Sequence, residues 1–145
     1  MDATTEKNYD SLKLKNQLCF PLYAASREIL RKYTPLLKKL GLTYTQYIVM
    51  MVLWETREAT VSDLCKQLYL DSGTLSPLLK AMEEKGLLNR VRSTEDERVV
   101  TITLTEKGAA LQDDALSVPI AMGKCLNITE DEGKTLYGLL YKILS

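Results

Sequence analysis

The chain has 145 residues, 46% of them apolar, and its 19 basic residues balance its 19 acidic ones. This length and composition predict one mostly helical domain with a core of its own, and the neutral charge indicates no partner. Three widely spaced cysteines and no histidine exclude zinc-finger spacings and histidine-based catalytic sets. We therefore expect no metal and no cofactor.

Apolar runs fall short of the roughly 20 residues that a membrane-spanning helix requires. The polar N-terminus, MDATTEKNYD, lacks the apolar segment of a secretory signal peptide. We therefore expect a cytoplasmic protein that makes no membrane contact. In that compartment each cysteine is by default a reduced, buried thiol.

Helical and extended patterns follow one another along the chain. Pro35 disfavours helical geometry at Thr34 and predicts that the first helix ends there, and Pro119 predicts a kink in the fifth. The segments LLNRVRS and RVVTITL alternate as two strands of a hairpin do. The predicted helices cover residues 12–33, 42–55, 61–70, 72–85, 105–126 and 129–144.

Polar residues mark the starts of three of these helices. Thr43 with Gln46, and Thr129 with Glu132, have the spacing of a capping box. Asp71 is placed to cap the fourth helix. Cys65, between two leucines of the third helix, is predicted to serve packing.

Two short helices followed by a hairpin have the outline of a winged helix-turn-helix, which covers about residues 43–104. The second helix of such a motif enters the major groove of double-stranded DNA, and its first residues face bases and phosphates. The residues that we expect at this surface are Ser72, Gly73, Thr74, Ser76 and Lys80.

Charge alone does not single out this segment, because residues 60–107 hold seven basic and eight acidic residues. DNA binding would depend on placement: Arg90, Arg92 and Arg98 cluster at the hairpin, and an arginine at its tip can enter the minor groove. Asp96 can orient the Arg98 guanidinium. The alternative is a solvated acidic turn.

The outer helices lie outside this central motif and need a surface to pack on. A homodimer formed by residues 10–34 and 105–145 would supply it. The alternative is that these helices fold back on their own core.

The segments LDSGTLSPLLKAMEEKGLL and RSTEDERVVTITLTEKG resemble the recognition helix and wing of MarR-family repressors. The segment LKNQLCFPLYAAS is similar to a narrower group, the organic hydroperoxide resistance repressors. The resemblance spans about residues 12–144. It implies a mostly helical homodimer with small β wings that represses transcription from a pseudo-palindromic operator and releases the DNA when an organic hydroperoxide oxidises it.

The resemblance also implies roles for individual residues. It places the peroxide-reactive cysteine at Cys19 and its tyrosine partners at Tyr33 and Tyr44. It makes Cys125 the resolving cysteine, which forms a disulfide with the reactive cysteine of the opposite subunit; the alternative is that a small cellular thiol reacts with the oxidised Cys19 instead. The DNA-binding residues that carry over are Ser72, Gly73, Thr74, Ser76, Asp96 and Arg98.

Cys19 and Tyr33 are 14 positions apart, so on one helix they share a face but lie about 21 Å from each other. They cannot touch within one chain, but Tyr33 of one subunit can approach Cys19 of the other if two copies of the helix cross antiparallel in a dimer. Pro21 leaves two geometries open. In a first turn it would place Cys19 at a helix N-terminus, and in a helix interior it would kink the helix and free the Gln17 carbonyl. We favour the second, because apolar residues precede it.

Three other interpretations remain open. A thiol peroxidase would use the same thiolate chemistry, but no segment resembles a peroxidase, and we predict no enzyme. A MarR-type repressor could be released by a lipophilic ligand, with Cys19 a spectator. Cys19 could also be a buried interface thiol.

Overall fold

The computed structural model describes residues 6–145, so the first five residues of the polar N-terminus, on which the prediction of no signal peptide partly rests, lie outside it. The helices are α1 (Cys19–Lys38), α2 (Tyr44–Thr56), α3 (Val61–Leu68), α4 (Ser72–Glu84), α5 (Glu106–Ala115), α6 (Ser117–Cys125) and α7 (Glu130–Leu144). The strands are β1 (Glu58–Thr60), β2 (Leu88–Arg92) and β3 (Val100–Leu104). Among the described residues, none of the helices has the length and apolar character needed to cross a membrane.

Helix α2 forms the centre of the core, because it is apolar on nearly every side. Val49, Met50 and Leu53 are fully buried. The indole nitrogen of Trp54 donates a hydrogen bond of 2.9 Å to the Gly108 carbonyl and so joins α2 to α5. Position 108 requires glycine, since a Cβ there would overlap the backbone of Leu87.

The hairpin predicted from the sequence is part of a three-stranded antiparallel sheet with the strand order β1-β3-β2. Leu88 pairs with Leu104 across β2 and β3, and Glu58 pairs with Thr103 across β1 and β3. Ile102 of β3 is fully buried beneath the sheet. The sequence did not predict β1, because three residues are too few to show an alternating pattern.

The predicted helix caps are confirmed. Thr43 with Gln46 and Thr129 with Glu132 form reciprocal capping boxes. The Asp71 carboxylate accepts a hydrogen bond of 2.6 Å from the backbone N–H of Thr74. Each of these caps fixes where its helix begins.

The predicted first helix, residues 12–33, is wrong at both ends. Residues 10–16 form two short 3-10 turns, Asp10–Leu12 and Leu14–Asn16, and α1 begins only at Cys19. At the other end α1 continues through Pro35 to Lys38. Leu37 is 1% exposed, and its burial offsets the loss of the backbone hydrogen bond that Pro35 cannot donate.

The predicted helix over residues 105–126 is two helices rather than one kinked helix. The helix is interrupted at Leu116, whose N–H donates to the Asp113 carbonyl at 3.3 Å. Helix α6 then begins at Ser117. Pro119 is the third residue of α6, where no backbone donor is needed. A continuous helix would have left the Ala115 carbonyl without its donor, so the break replaces the kink.

Candidate functional site

Helix α4 presents a polar surface on the side opposite the core. Leu75, Leu79 and Met82 are buried beneath it. The five positions predicted to face DNA are all exposed: Ser72, Gly73, Thr74, Ser76 and Lys80. The structure therefore places the predicted recognition residues together at the start and along the outer side of one helix.

The tip of the hairpin between β2 and β3, the wing, is organised around Arg98. The Asp96 carboxylate accepts hydrogen bonds from the Arg98 backbone N–H at 3.0 Å and from its Nε at 3.1 Å. These bonds, first from the side chain and then from the backbone, hold the pKa of Asp96 below its usual value. The Arg98 side chain is 90% exposed, so Asp96 holds its guanidinium outward.

The other two hairpin arginines are engaged differently. Arg92 donates from Nη1 to the Glu97 carbonyl at 2.9 Å and so braces the wing turn. Arg90 bonds to Glu83 of α4, through its backbone N–H at 2.8 Å and its Nε at 3.4 Å. The structure thus ties Arg90 to α4 rather than to the wing tip, and its contact with DNA stays a prediction.

Cys65 packs against the core, as predicted. Its half-buried side chain also lines a groove of about 500 Å³ between α3 and the wing. Ser72 and Arg98 line the same groove. The groove therefore extends from the start of the recognition helix to the wing tip.

Cys19 is the first residue of α1 and is exposed. Pro21 is therefore in the first turn, and the favoured interior placement is wrong. The preceding apolar residues do not extend the helix, because the Gln17 side chain instead bonds to the Lys13 carbonyl at 3.1 Å and closes the 3-10 turns. The sulfur thus stands at the positive end of a helix dipole.

Tyr33 and Tyr44 lie side by side, with ring centroids 4.9 Å apart. A third ring, Tyr47, lies 5.9 Å from Tyr33 and contacts Trp54 edge-on. We call these three tyrosines the phenol cluster. Burial, and then the neighbouring phenols, raise the pKa of each above its usual value, with Tyr141 the neighbour acting on Tyr44. They therefore remain hydrogen-bond donors at neutral pH.

Sequence reasoning missed Tyr47, although its position one helical turn after Tyr44 could have identified it. Within the chain, the phenol cluster joins α1 to α2. The structure thus brings Tyr33 and Tyr44 together as the predicted pair.

Cys125 is the last residue of α6 and is exposed. Lys32 donates from Nζ to its carbonyl at 2.9 Å, which places Cys125 beside the residue that precedes Tyr33. Cys19 is 13 residues from Lys32, or about 20 Å along the α1 axis. Within one chain the structure therefore joins Cys125 to the C-terminal half of α1, which also carries Tyr33, and leaves Cys19 at the other end of that helix.

The family model of the transcriptional regulators SarA and Rot matches residues 31–115. The chain is 50% identical over 142 residues, 96% of its length and 95% of the relative's, to the organic hydroperoxide resistance transcriptional regulator of Bacillus subtilis strain 168. It is 41% identical to the HTH-type transcriptional regulator SarZ of Staphylococcus haemolyticus, over 91% of this chain and 90% of the relative.

Solved structures give the same picture. Reduced AbfR bound to DNA has a TM-score of 0.77 at 36% identity, covering 93% of this chain and 95% of that one. The disulfide form of AbfR has a TM-score of 0.64 at 38% identity, covering 93% and 92%. A MarR mutant from E. coli, complexed with operator DNA, has a TM-score of 0.81 at 27% identity, covering 96% and 100%.

Fold, exposed recognition helix and wing together define a DNA-binding transcriptional regulator of the winged-helix class. These similarities confirm the predicted fold class. The chain belongs to the MarR and SarA/Rot family, and within it to the organic hydroperoxide resistance regulators. The members matched are transcriptional regulators, which confirms that the chain is not an enzyme.

Proposed function

We propose that the chain is a homodimeric repressor that binds a pseudo-palindromic operator while Cys19 is reduced and releases it when an organic hydroperoxide oxidises Cys19. One observation carries this proposal: Tyr33 of the phenol cluster and the Lys32 contact with Cys125 are both in the C-terminal half of α1, while Cys19 is the first residue of the same helix. A peroxide site would need one part from each of two chains. A cytoplasmic location is part of this proposal.

Exposed apolar residues support the dimer. The exposed apolar residues just before α1 and in its first turns include Leu18, Phe20 and Tyr23. Helix α7 exposes most of its apolar face, and none of its residues is buried. An apolar surface of this extent indicates an interface. A second copy that covers it would give the division into a dimerisation region (10–34 and 105–145) and a winged helix (43–104).

The composition of α1 is compatible with the required crossing. If Cys19 of one chain lies opposite Tyr33 of the other in an antiparallel pair, the helices cross at residue 26. Ala24, Ala25 and Ser26 are small and exposed there. Small side chains allow two helices to approach closely, so each dimer would hold two complete sites.

The chemistry follows from this arrangement. The Cys19 thiolate attacks one peroxide oxygen, which gives a sulfenic acid on Cys19 and releases the alcohol. The phenols donate hydrogen bonds to the anionic sulfur. The Cys125 thiol of the other subunit then attacks the sulfenic sulfur, which forms the disulfide and releases water. Exposed Phe20 and Leu22 give the site an apolar entrance suited to organic peroxides.

Oxidation releases DNA through the distance between the two recognition helices. A dimer reads successive major grooves only when its α4 helices are about 34 Å apart. A covalent bond between α1 of one chain and α6 of the other favours a different dimer geometry, and the bound population falls accordingly. The three AbfR structures, reduced and overoxidised on DNA and with a disulfide, are compatible with such a cycle in a relative.

The sensor assignment is tested by Cys19→Ser in a mobility-shift assay. We expect the variant to bind operator as the wild type does and to stay bound after cumene hydroperoxide. Cys65→Ser is the matched control, since Cys65 packs in the winged helix, and it should release normally. Release of DNA by oxidised Cys19→Ser would contradict the proposal.

The resolving role is tested by Cys125→Ser on non-reducing gels. Oxidised wild-type protein should run as a cross-linked dimer, and the variant as a monomer. Reduction should restore the monomer band of the wild type. A cross-linked dimer in oxidised Cys125→Ser would assign the second sulfur elsewhere.

One observation favours release by a lipophilic ligand as a second candidate. An apolar cleft of about 340 Å³ lies between α1 and α2, lined by residues that include Leu37, Leu42 and Tyr44. A ligand there would contact the phenol cluster without oxidising any thiol. Release of the operator on addition of a lipophilic ligand, under anaerobic and reducing conditions, would support this function over the redox one.

A further inference from the structure

We propose that Lys32 is a positioning residue that holds the Cys125 end of α6 in place for disulfide formation with the partner's Cys19. The inference rests on the proposed function and deepens it. Lys32 contacts no reacting atom. It acts on the backbone that carries the resolving thiol.

The contact satisfies a group that the helix itself cannot. The last carbonyls of an α-helix have no partner within the helix, and Cys125 is the last residue of α6. Lys32 donates to that carbonyl from 93 residues away in sequence, at 2.9 Å. A cation at this end also suits the negative end of the helix dipole.

The end of α6 needs this contact because little else fixes it. Val118 and Met122 bury the body of the helix, at 2% and 4% exposure. The last three residues, Gly123 to Cys125, are exposed. A Cβ at Gly123 would meet nothing within 4 Å, so packing does not hold this turn. Lys32 is the side chain that ties it to α1.

Position matters because a disulfide has a narrow geometry. The two Cα atoms must lie roughly 4.4–6.8 Å apart. In the antiparallel crossing, the partner's Cys19 arrives at Tyr33, next to Lys32. Holding the Cys125 carbonyl at Lys32 therefore keeps the resolving thiol at the place where the sulfenic acid forms.

The test compares Lys32→Met with Lys32→Arg in the full-length dimer after one equivalent of cumene hydroperoxide. Two steps are measured separately: dimedone labelling of Cys19 in a Cys125→Ser background, and the rate of cross-linking on quenched non-reducing gels. We expect Lys32→Met to cross-link about tenfold more slowly with unchanged dimedone labelling, since it loses a charged hydrogen bond. Lys32→Arg, which keeps the donor, should restore the rate.

Lys38→Met is the matched control, because Lys38 is an exposed lysine on another side of the same helix, and it should cross-link as the wild type does. Lys32→Ala, which also lacks a donor, gives the same comparison if Lys32→Met does not fold. Equal cross-linking rates for Lys32→Met and wild type would overturn this inference and leave the proposed function intact. A fall in dimedone labelling of Lys32→Met as large as its fall in cross-linking rate would do the same. Absence of a wild-type cross-link would overturn the disulfide step of the proposed function and this inference with it.

Discussion

The two cysteines of the proposed cycle occupy opposite kinds of helix end. Cys19 is at the N-terminus of α1, where unpaired N–H groups suit an anionic sulfur. Cys125 is at the C-terminus of α6, where Lys32 donates a hydrogen bond to its carbonyl. The two thiols of the proposed cycle therefore stand at helix ends of opposite polarity.

The phenol cluster gives a pH prediction at the same scale. Burial raises the pKa of Tyr33 above 10.0, so the folded protein holds a proton that the unfolded chain loses first. Stability is therefore full below pH 10 and falls as the pH rises through the folded pKa. Urea unfolding on either side of pH 10 should show a smaller loss in Tyr33→Phe than in the wild type.

Tyr9→Phe is the matched control for this measurement, because Tyr9 is 62% exposed and lies outside the phenol cluster. It should show the wild-type alkaline loss. An equal loss in all three proteins would contradict the assignment of burial to Tyr33.

Among the elements, those predicted correctly depend on local chemistry. The capping boxes at Thr43 and Thr129 need only residues three apart, so the sequence contains the whole interaction. The predicted end of α1 was wrong because the true end depends on the packing of Leu37 in a core formed by distant residues. The placement of Pro21 was wrong for a related reason: the leucines before it lack a buried surface within the chain, and their apolar pattern resembled a helix.

The candidate site divides in the same way. The family resemblance identified Tyr33 and Tyr44, which the structure brings together. The links of Lys32 to Cys125 and of Arg90 to Glu83 join separate elements. No local pattern in the sequence contains the first of these, since its partners are 93 residues apart.

The two prolines of α1 give a prediction at the scale of the element. Pro35 is in the interior and cannot donate to the Arg31 carbonyl, whereas Pro21 is in the first turn, where no donor is needed. Pro35→Ala should stabilise the protein by about 1 kcal/mol. Pro21→Ala should change stability by less than about 0.5 kcal/mol.

Urea unfolding at one fixed protein concentration measures both variants, because dimer stability depends on concentration. A destabilising effect of Pro35→Ala would contradict the view that the hydrogen bond missing at Pro35 costs stability. A loss in Pro21→Ala comparable to an interior helix break would contradict its first-turn placement.

For the whole molecule, neutral charge means that DNA affinity depends on where cations are held rather than on how many there are. Some cations of the winged helix make contacts within the chain: Lys85 donates to the Gly41 carbonyl at 2.8 Å, and Arg90 bonds to Glu83. Arg98 is different, because its partner Asp96 holds it outward at the wing tip. A dimer would present two such arginines, one at each end of the DNA-binding surface.

Arg98 and Asp96 should therefore differ in how their loss changes the salt dependence of operator binding. In Arg98→Ala the two wings of a dimer lose two cations, and the slope of log Kobs against log salt should become less steep by about 2. In Asp96→Ala both cations remain but are no longer oriented, so affinity should fall with the slope nearly unchanged. Arg31→Ala, which removes an exposed arginine of α1, is the control for overall charge. An unchanged slope in Arg98→Ala would mean that the wing tip does not neutralise phosphate, and recognition would then rest on α4 alone.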